Sequence, residues 1–277
     1  MMTQPTDLIG IAETRAIQMF IFDFGRYFIA ASLVALTVWL LKRTSWKSRQ
    51  IQKKTATAAQ IRREFFASVR TVLVYVVVSV FVVWGIRNGY MREFEGSYGL
   101  LGDAAMLLAV IVGHDAYFYW SHRIMHHPRL FKTFHRFHHR TVTPTPWTAY
   151  AFAVPEAFVM AMFVPLWLVL VPTPGIVMFS FLIIMIVRNT MGHAGLELHA
   201  RGWASHPVLK WISTTTHHDL HHAGSFNHNY GFYFTWWDKM MGTEHPDYVA
   251  TYDRVTAPAT TNAKPDSSAE LKPSPVL

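Results

Sequence analysis

FIFDFGRYFIAASLVALTVWLL, residues 20–41, is an apolar stretch of 22 residues. As a helix it would rise about 33 Å, enough to cross a hydrocarbon core of roughly 30 Å. A cleavable leader is not expected here. The run begins only after Asp7 and Glu13 and lacks a short basic start with a small-residue cleavage site.

The rest of the chain has the same character. Of its 277 residues, 51% are hydrophobic and 15% aromatic, while 15% are charged, against about 25% in soluble domains. Mean hydropathy is +0.18. There is no cysteine, which excludes disulfides, thiolate nucleophiles, iron–sulfur clusters and Cys-ligated zinc.

Further apolar runs follow at Thr71–Ile86, Gly99–Trp120, Ala149–Val171 and Gly175–Val187. The last two, separated by PTP, read as two spans or as a tilted, partly re-entrant hairpin. Between the spans, charge is unevenly placed. Lys42 to Glu64 carries eight basic residues and one acid, Ser121 to Thr148 five basic residues and no acid, and the loop 87–98 is neutral. Basic loops stay in the cytoplasm, so the net charge of +8 is a topology signal and no nucleic-acid partner is expected. The expected fold is an all-α integral membrane protein with four to five transmembrane helices and a cytoplasmic, histidine-rich helical cap. Its expected divisions are an N-terminal transmembrane region at 1–98, a catalytic domain at 99–255 and a disordered tail at 256–277.

All sixteen histidines lie between His114 and His245. Three clusters dominate: HRIMHH (His122, His126, His127), HRFHH (His135, His138, His139) and HHDLHH (His217, His218, His221, His222). Residues three or four apart share a helix face, their Cβ atoms about 5–6 Å apart, which suits two ligands on one ion. His122 pairs with His126; His135 with His138 and His139; His218 with His221 and His222. Eight neutral imidazoles suit two transition metals of the iron, zinc or copper kind and do not suit magnesium or calcium. Asp115 falls within about 20° of His122 and His126 around one helix, a placement expected to let its carboxylate orient a ligand ring. The spacing leaves open whether His114, His127, His199, His217 or His228 join the site.

The stretches HDAYFYWSHRIMHHPRLFKTFHRFHH, HHDLHH and FNHNYGFYFTWWDKMMGTEHP, from about His114 to Pro246, resemble the fatty acid hydroxylase and sterol desaturase superfamily of membrane di-iron enzymes. TPTPWTAYAFAVPEA is most similar to the sterol C-5 desaturase branch. The resemblance implies that His122, His126, His135, His138, His139, His218, His221 and His222 bind two irons, or zinc in purified protein. His193, in MGHAGLEL, matches an additional family histidine, and Asn229, Tyr230, Gly231, Trp237 and Asp238 brace the last box. Relatives of this branch tend to carry another histidine where this chain has Tyr150 or Phe152, so the substrate is not inherited. Glu156, an acid costly so near a span, is a candidate partner of a ligand ring, a helix-end residue or a substrate contact.

The reaction so implied is O2-dependent hydroxylation or desaturation of a lipid (sterol, fatty acyl, sphingoid or isoprenoid) at an unactivated C–H. The chain has no flavin fingerprint and no cluster ligands, so a cytochrome b5-like or ferredoxin-like donor with its reductase must dock near the basic 121–148 surface. The alternatives are a carotenoid-type ring hydroxylase with the same site and, in another class, a metal transporter, for which His114, Asp115 and Glu156 are the main span-embedded polar residues. The ending carries no ER-retrieval motif, which favours a bacterial inner membrane, or the endoplasmic reticulum if the chain is eukaryotic.

Overall fold

The computed structural model describes residues 7–224 and 226–258; the tail expected from residue 256 lies almost wholly outside them. Helix α1 (Leu8–Leu41) begins twelve residues before the first apolar run, because Asp7 accepts the Gly10 N–H at 2.8 Å and caps its first turn. Helix α2 (Ala58–Arg87) is capped by Thr57, whose hydroxyl accepts the Gln60 N–H. Helix α3 (Gly99–Met125) continues past its apolar run into the first histidine cluster, and Pro128 opens the short α4 (Pro128–Phe134).

The stretch Ala149–Val171 does not cross as one helix. It forms α5 (Val154–Ala161) and α6 (Phe163–Leu170), broken at Met162. Pro165 explains the break: it has no N–H to give to Ala161, the residue at which α5 ends. Helix α7 (Gly175–Gly192) follows. Among the described residues, helices α1, α2, α3 and α7 are therefore the four long and apolar enough to cross a membrane. A two-residue parallel pairing of β1 (Glu93–Phe94) with β2 (Thr173–Pro174) ties two connections together at the end of the bundle away from the histidines. The cap is α8 (Thr215–His222), α9 (Trp236–Met241) and α10 (Tyr248–Thr256).

Leu100 and Leu101 are 87% and 85% exposed, as side chains facing lipid tails would be. Inside, Tyr27, Ala30, Ala31, Val72, Tyr75, Tyr150 and Ile186 form one cluster, drawn from α1, α2, α7 and the turn at 146–150. Val110, Phe163, Phe181, Phe232 and Tyr233 form a second. Small residues such as Ala30 and Ala31 let helices approach closely where lipid supplies no hydrophobic drive. The first cluster joins the N-terminal helices directly to segments that lie beside the histidines.

Candidate metal centre

Two long helices end on the same place. His126 is the C-cap of α3 and His193 the C-cap of α7, so the negative ends of two helix dipoles point where a cation would sit. His135 ends α4, His138 and His139 start a single 3-10 turn, and α8 supplies His218, His221 and His222. The N–H of His217 reaches the Thr214 hydroxyl at the start of α8.

The nine histidines separate into two groups. His122, His126, His135, His139 and His221 form one; His138, His193, His218 and His222 form the other. In each, one ring nitrogen per residue lies within 4.8 Å of all the rest. The boxes do not map one to an ion. His138 and His139 are about 120° apart on their 3-10 turn, and His221 is turned about 60° from His218 on α8, so adjacent helix faces feed different groups.

The outer nitrogens decide what the inner ones can be. His122 Nδ1 donates to Tyr230 O at 3.0 Å, His193 Nδ1 to Asn189 O at 2.8 Å, His222 Nδ1 to Thr141 O at 2.8 Å and His221 Nδ1 to His228 O at 2.7 Å. His135 Nδ1 lies 2.6 Å from Glu156 Oε1 and donates to it when that carboxyl is ionised. A neutral imidazole has only one N–H, so these rings turn bare Nε2 lone pairs inward. His122 Nε2 and His135 Nε2 are 2.9 Å apart with no proton to share. Two lone pairs at that distance repel, and a cation bound by both removes the repulsion. Burial, then the neighbouring rings, hold His126, His135, His138, His139, His218 and His221 well below the usual histidine range; burial brings His193 down to about 4. They are neutral at pH 7, the form that binds metal. The donor set fits iron, zinc or copper.

Buried carboxylates hold the frame. Asp238 accepts the Tyr230 and Gly231 N–H groups at 2.9 and 2.7 Å, which fixes the carbonyl that orients His122. Gly231 has no alternative: a Cβ there would meet Phe234 O at 2.5 Å and Asp238 Oδ2 at 2.7 Å. Asn229, at φ 58°, donates to His217 O at 2.8 Å and accepts the His245 N–H at 2.7 Å. Glu197 accepts both the N–H and the hydroxyl of Thr216 in the first turn of α8. Glu64 accepts from the hydroxyls of Thr141, Thr145 and Thr148 at 2.7, 3.0 and 3.1 Å, and Thr141 in turn holds His222. Glu64 reads in the sequence as the lone acid of a basic stretch, and nothing near it signals burial. Asp219, within HHDLHH, accepts from Gln52 Nε2 at 2.7 Å.

Asp115 corrects the sequence expectation. Its Oδ1 accepts the N–H groups of Tyr233 and Phe234 at 2.8 and 3.2 Å, and its Oδ2 the Trp236 Nε1–H at 2.8 Å. It holds the 233–236 segment and no ligand ring. Seven residues separate it from His122, about 10 Å along the axis, which a carboxylate cannot bridge however well the two faces align. The five histidines left open stand outside both groups. His114 sits among Phe163, Phe181, Phe232 and Tyr233, and His127 accepts the Arg129 N–H at the start of α4. His199 pairs with Glu197, His217 lies 3.5 Å from Asp238, and His228 packs on His245.

Residues 107–243, which contain all nine histidines, match the fatty acid hydroxylase family. The chain belongs to the fatty acid hydroxylase and sterol desaturase superfamily. Within this superfamily it is 28% identical over 227 residues to a Delta(7)-sterol 5(6)-desaturase of Gibberella zeae, a match covering 81% of this chain and 67% of that protein. It is 26% identical over 189 residues to human lathosterol oxidase, covering 66% of this chain and 61% of the relative. Human cholesterol 25-hydroxylase is 29% identical over 142 residues, half of each chain. These matches span from about half to two thirds of the relatives' own length. No solved structure matches the chain.

Proposed function

We propose that this member of the superfamily is a membrane oxidoreductase that hydroxylates or desaturates a lipid at an unactivated C–H, using two irons, O2 and two external electrons. The observation that carries this reading is the facing pair of bare Nε2 atoms of His122 and His135, 2.9 Å apart, within a set of nine buried histidines. Two irons held there would supply O2 activation and removal of hydrogen from the C–H bond.

The chain's own part is to bind, orient and exclude water. Backbone carbonyls and Glu156 fix the tautomer of the ligand rings. A cavity of about 340 Å³ runs between α1, α2, α6 and α7, walled largely by apolar side chains such as Val78, Phe163 and Met178. Met160 lines both this cavity and the small space beside His122, His135, His138, His193 and His218. A lipid tail lying in the cavity would reach the histidines past that side chain. Arg129, Lys132, Arg136 and Arg140 are exposed on the segment carrying the second box. They offer a basic face to an acidic electron donor, cytochrome b5-like or ferredoxin-like with its reductase. We place this face on the cytoplasmic side, from the basic loops.

The test is metal analysis of the purified full-length chain, with lipid products read by mass spectrometry after a donor and its reductase are supplied. The expected result is about two transition-metal ions per chain, iron in the active form, and a product gaining one oxygen or losing two hydrogens. Less than one ion per chain, or turnover that survives complete metal removal, would sink the reading.

A further inference from the structure

Asp23 and Arg26, on α1, are the unexpected feature of the cavity wall. Both line it, and both are buried, at 4% and 9% exposure. They stand near the middle of a 34-residue helix long and apolar enough to cross a membrane, where charged side chains are expensive and face a partner or a polar ligand. Arg26 Nε and Nη2 both bond Asp23 Oδ1, at 2.8 and 2.7 Å, and Nη1 donates to Leu182 O at 3.2 Å. Both bonds to Asp23 fall on one carboxylate oxygen. Asp23 Oδ2 makes no hydrogen bond among the described residues, and it belongs to a side chain on the cavity wall. The pair as a whole is neutral, so it suits a neutral group that both donates and accepts. A hydroxyl does both, giving its proton to Asp23 and taking one from the guanidinium. A carboxylate ligand would meet the like charge of Asp23.

The pair also sets a distance. Arg26 is bonded to Leu182, eleven residues before His193 on the same helix, a separation of about 16 Å along the axis. Histidine side chains shorten this by a few ångströms. An extended covalent chain advances about 1.2 Å per bond, so the gap corresponds to roughly ten to thirteen bonds. We infer that Asp23 and Arg26 are the polar end of the lipid site. They hold the hydroxyl of a neutral lipid so that a carbon roughly ten or more bonds away lies at the histidines. The binding half stands on the cavity alone; the second half rests on the proposed oxidoreductase reading.

The experiment separates the two. The full-length chain, stripped of metal by a chelator and placed in phosphatidylcholine nanodiscs, is loaded with tritiated cholesterol. Unlabelled cholesterol, its 3-methyl ether or cholestane then displaces it. Hexadecan-1-ol and hexadecane form a second alcohol–alkane pair. The alcohols should displace at about tenfold lower concentration than the alkanes, as loss of a hydrogen bond to a charged group requires. The methyl ether, which cannot donate, should fall with the alkanes. The double variant Asp23→Leu/Arg26→Met replaces both partners together, which an apolar wall tolerates. It should bind cholesterol and cholestane alike. Equal displacement by alcohol and alkane in the wild type, no saturable binding of either alcohol, or discrimination that survives in a folded double variant overturns the inference. In the metal-loaded enzyme, the oxidised carbon should lie far from the hydroxyl. Oxidation within the hydroxyl-bearing ring overturns the orientation. An enzyme without turnover would fail the oxidoreductase reading and leave the binding result standing.

Discussion

His135 Nδ1 and Glu156 Oε1 are 2.6 Å apart, both side chains nearly without solvent contact. Glu156 stands in the first turn of α5, twenty-one residues beyond its partner. A carboxylate on the outer nitrogen of a ligand ring fixes the tautomer and raises the basicity of the inner one. Glu156→Ala should lower metal affinity or turnover by about 10–100-fold. Glu156→Gln, which can still accept through its carbonyl, should lose less. Metal content and turnover measured together check this. Wild-type values in both variants would mean that His135 is held by packing alone.

Asp115 predicts a different failure. Its carboxylate takes three donors from the 233–236 segment, and an asparagine amide would set N–H against N–H at one of them. Asp115→Asn should destabilise the fold by about 1–3 kcal/mol, the cost of a buried unpaired group. Metal affinity of the protein that remains folded should change little. Thermal melting beside metal titration checks it. A large loss of metal affinity with unchanged melting would restore the role that its helix face suggested.

Proton competition gives the third prediction. The buried histidines are held below the free value of about 6.5, His193 at about 4. Below that free value an unfolded chain takes up protons that the folded, metal-free chain refuses, so the unfolded state gains. The histidine contribution to the stability of the metal-free protein is therefore full above pH 6.5 and falls as pH drops towards 4, where that of His193 is spent. Melting temperatures between pH 8 and pH 4 should trace that descent. A flat profile would mean that the rings are solvated, contrary to their burial.

The parts legible in the sequence were those that local periodicity encodes. A membrane span needs only length and apolarity, and His122/His126 or His218/His222 need only a helix turn. His193 has no partner at three or four residues and joins its group through the end of α7. Glu64 is buried by three threonines some eighty residues away, a contact no local pattern carries. Asp115 shows the limit of angular reasoning: residues can share a face and stand two turns apart. The Asp23–Arg26 pair is hidden in the opening span, where two charges among many apolar residues leave the mean hydropathy high.

Met160 carries the last prediction. It is four residues after Glu156 on α5, one helical turn along the same face. It lines both the apolar cavity and the space beside the histidines. If a lipid passes there, filling that position blocks the reaction without touching the metal. Met160→Trp should leave two metal ions per chain and lower turnover at least tenfold. The cost of overpacking, about 1–3 kcal/mol, should show in melting temperature and be tolerated. Met160→Ala should widen the passage and keep turnover, with oxidation spread over neighbouring carbons as the tail gains freedom. Products resolved by mass spectrometry and metal content by elemental analysis read both variants. Turnover that persists in Met160→Trp, with metal still bound, would show that substrate reaches the histidines by another path.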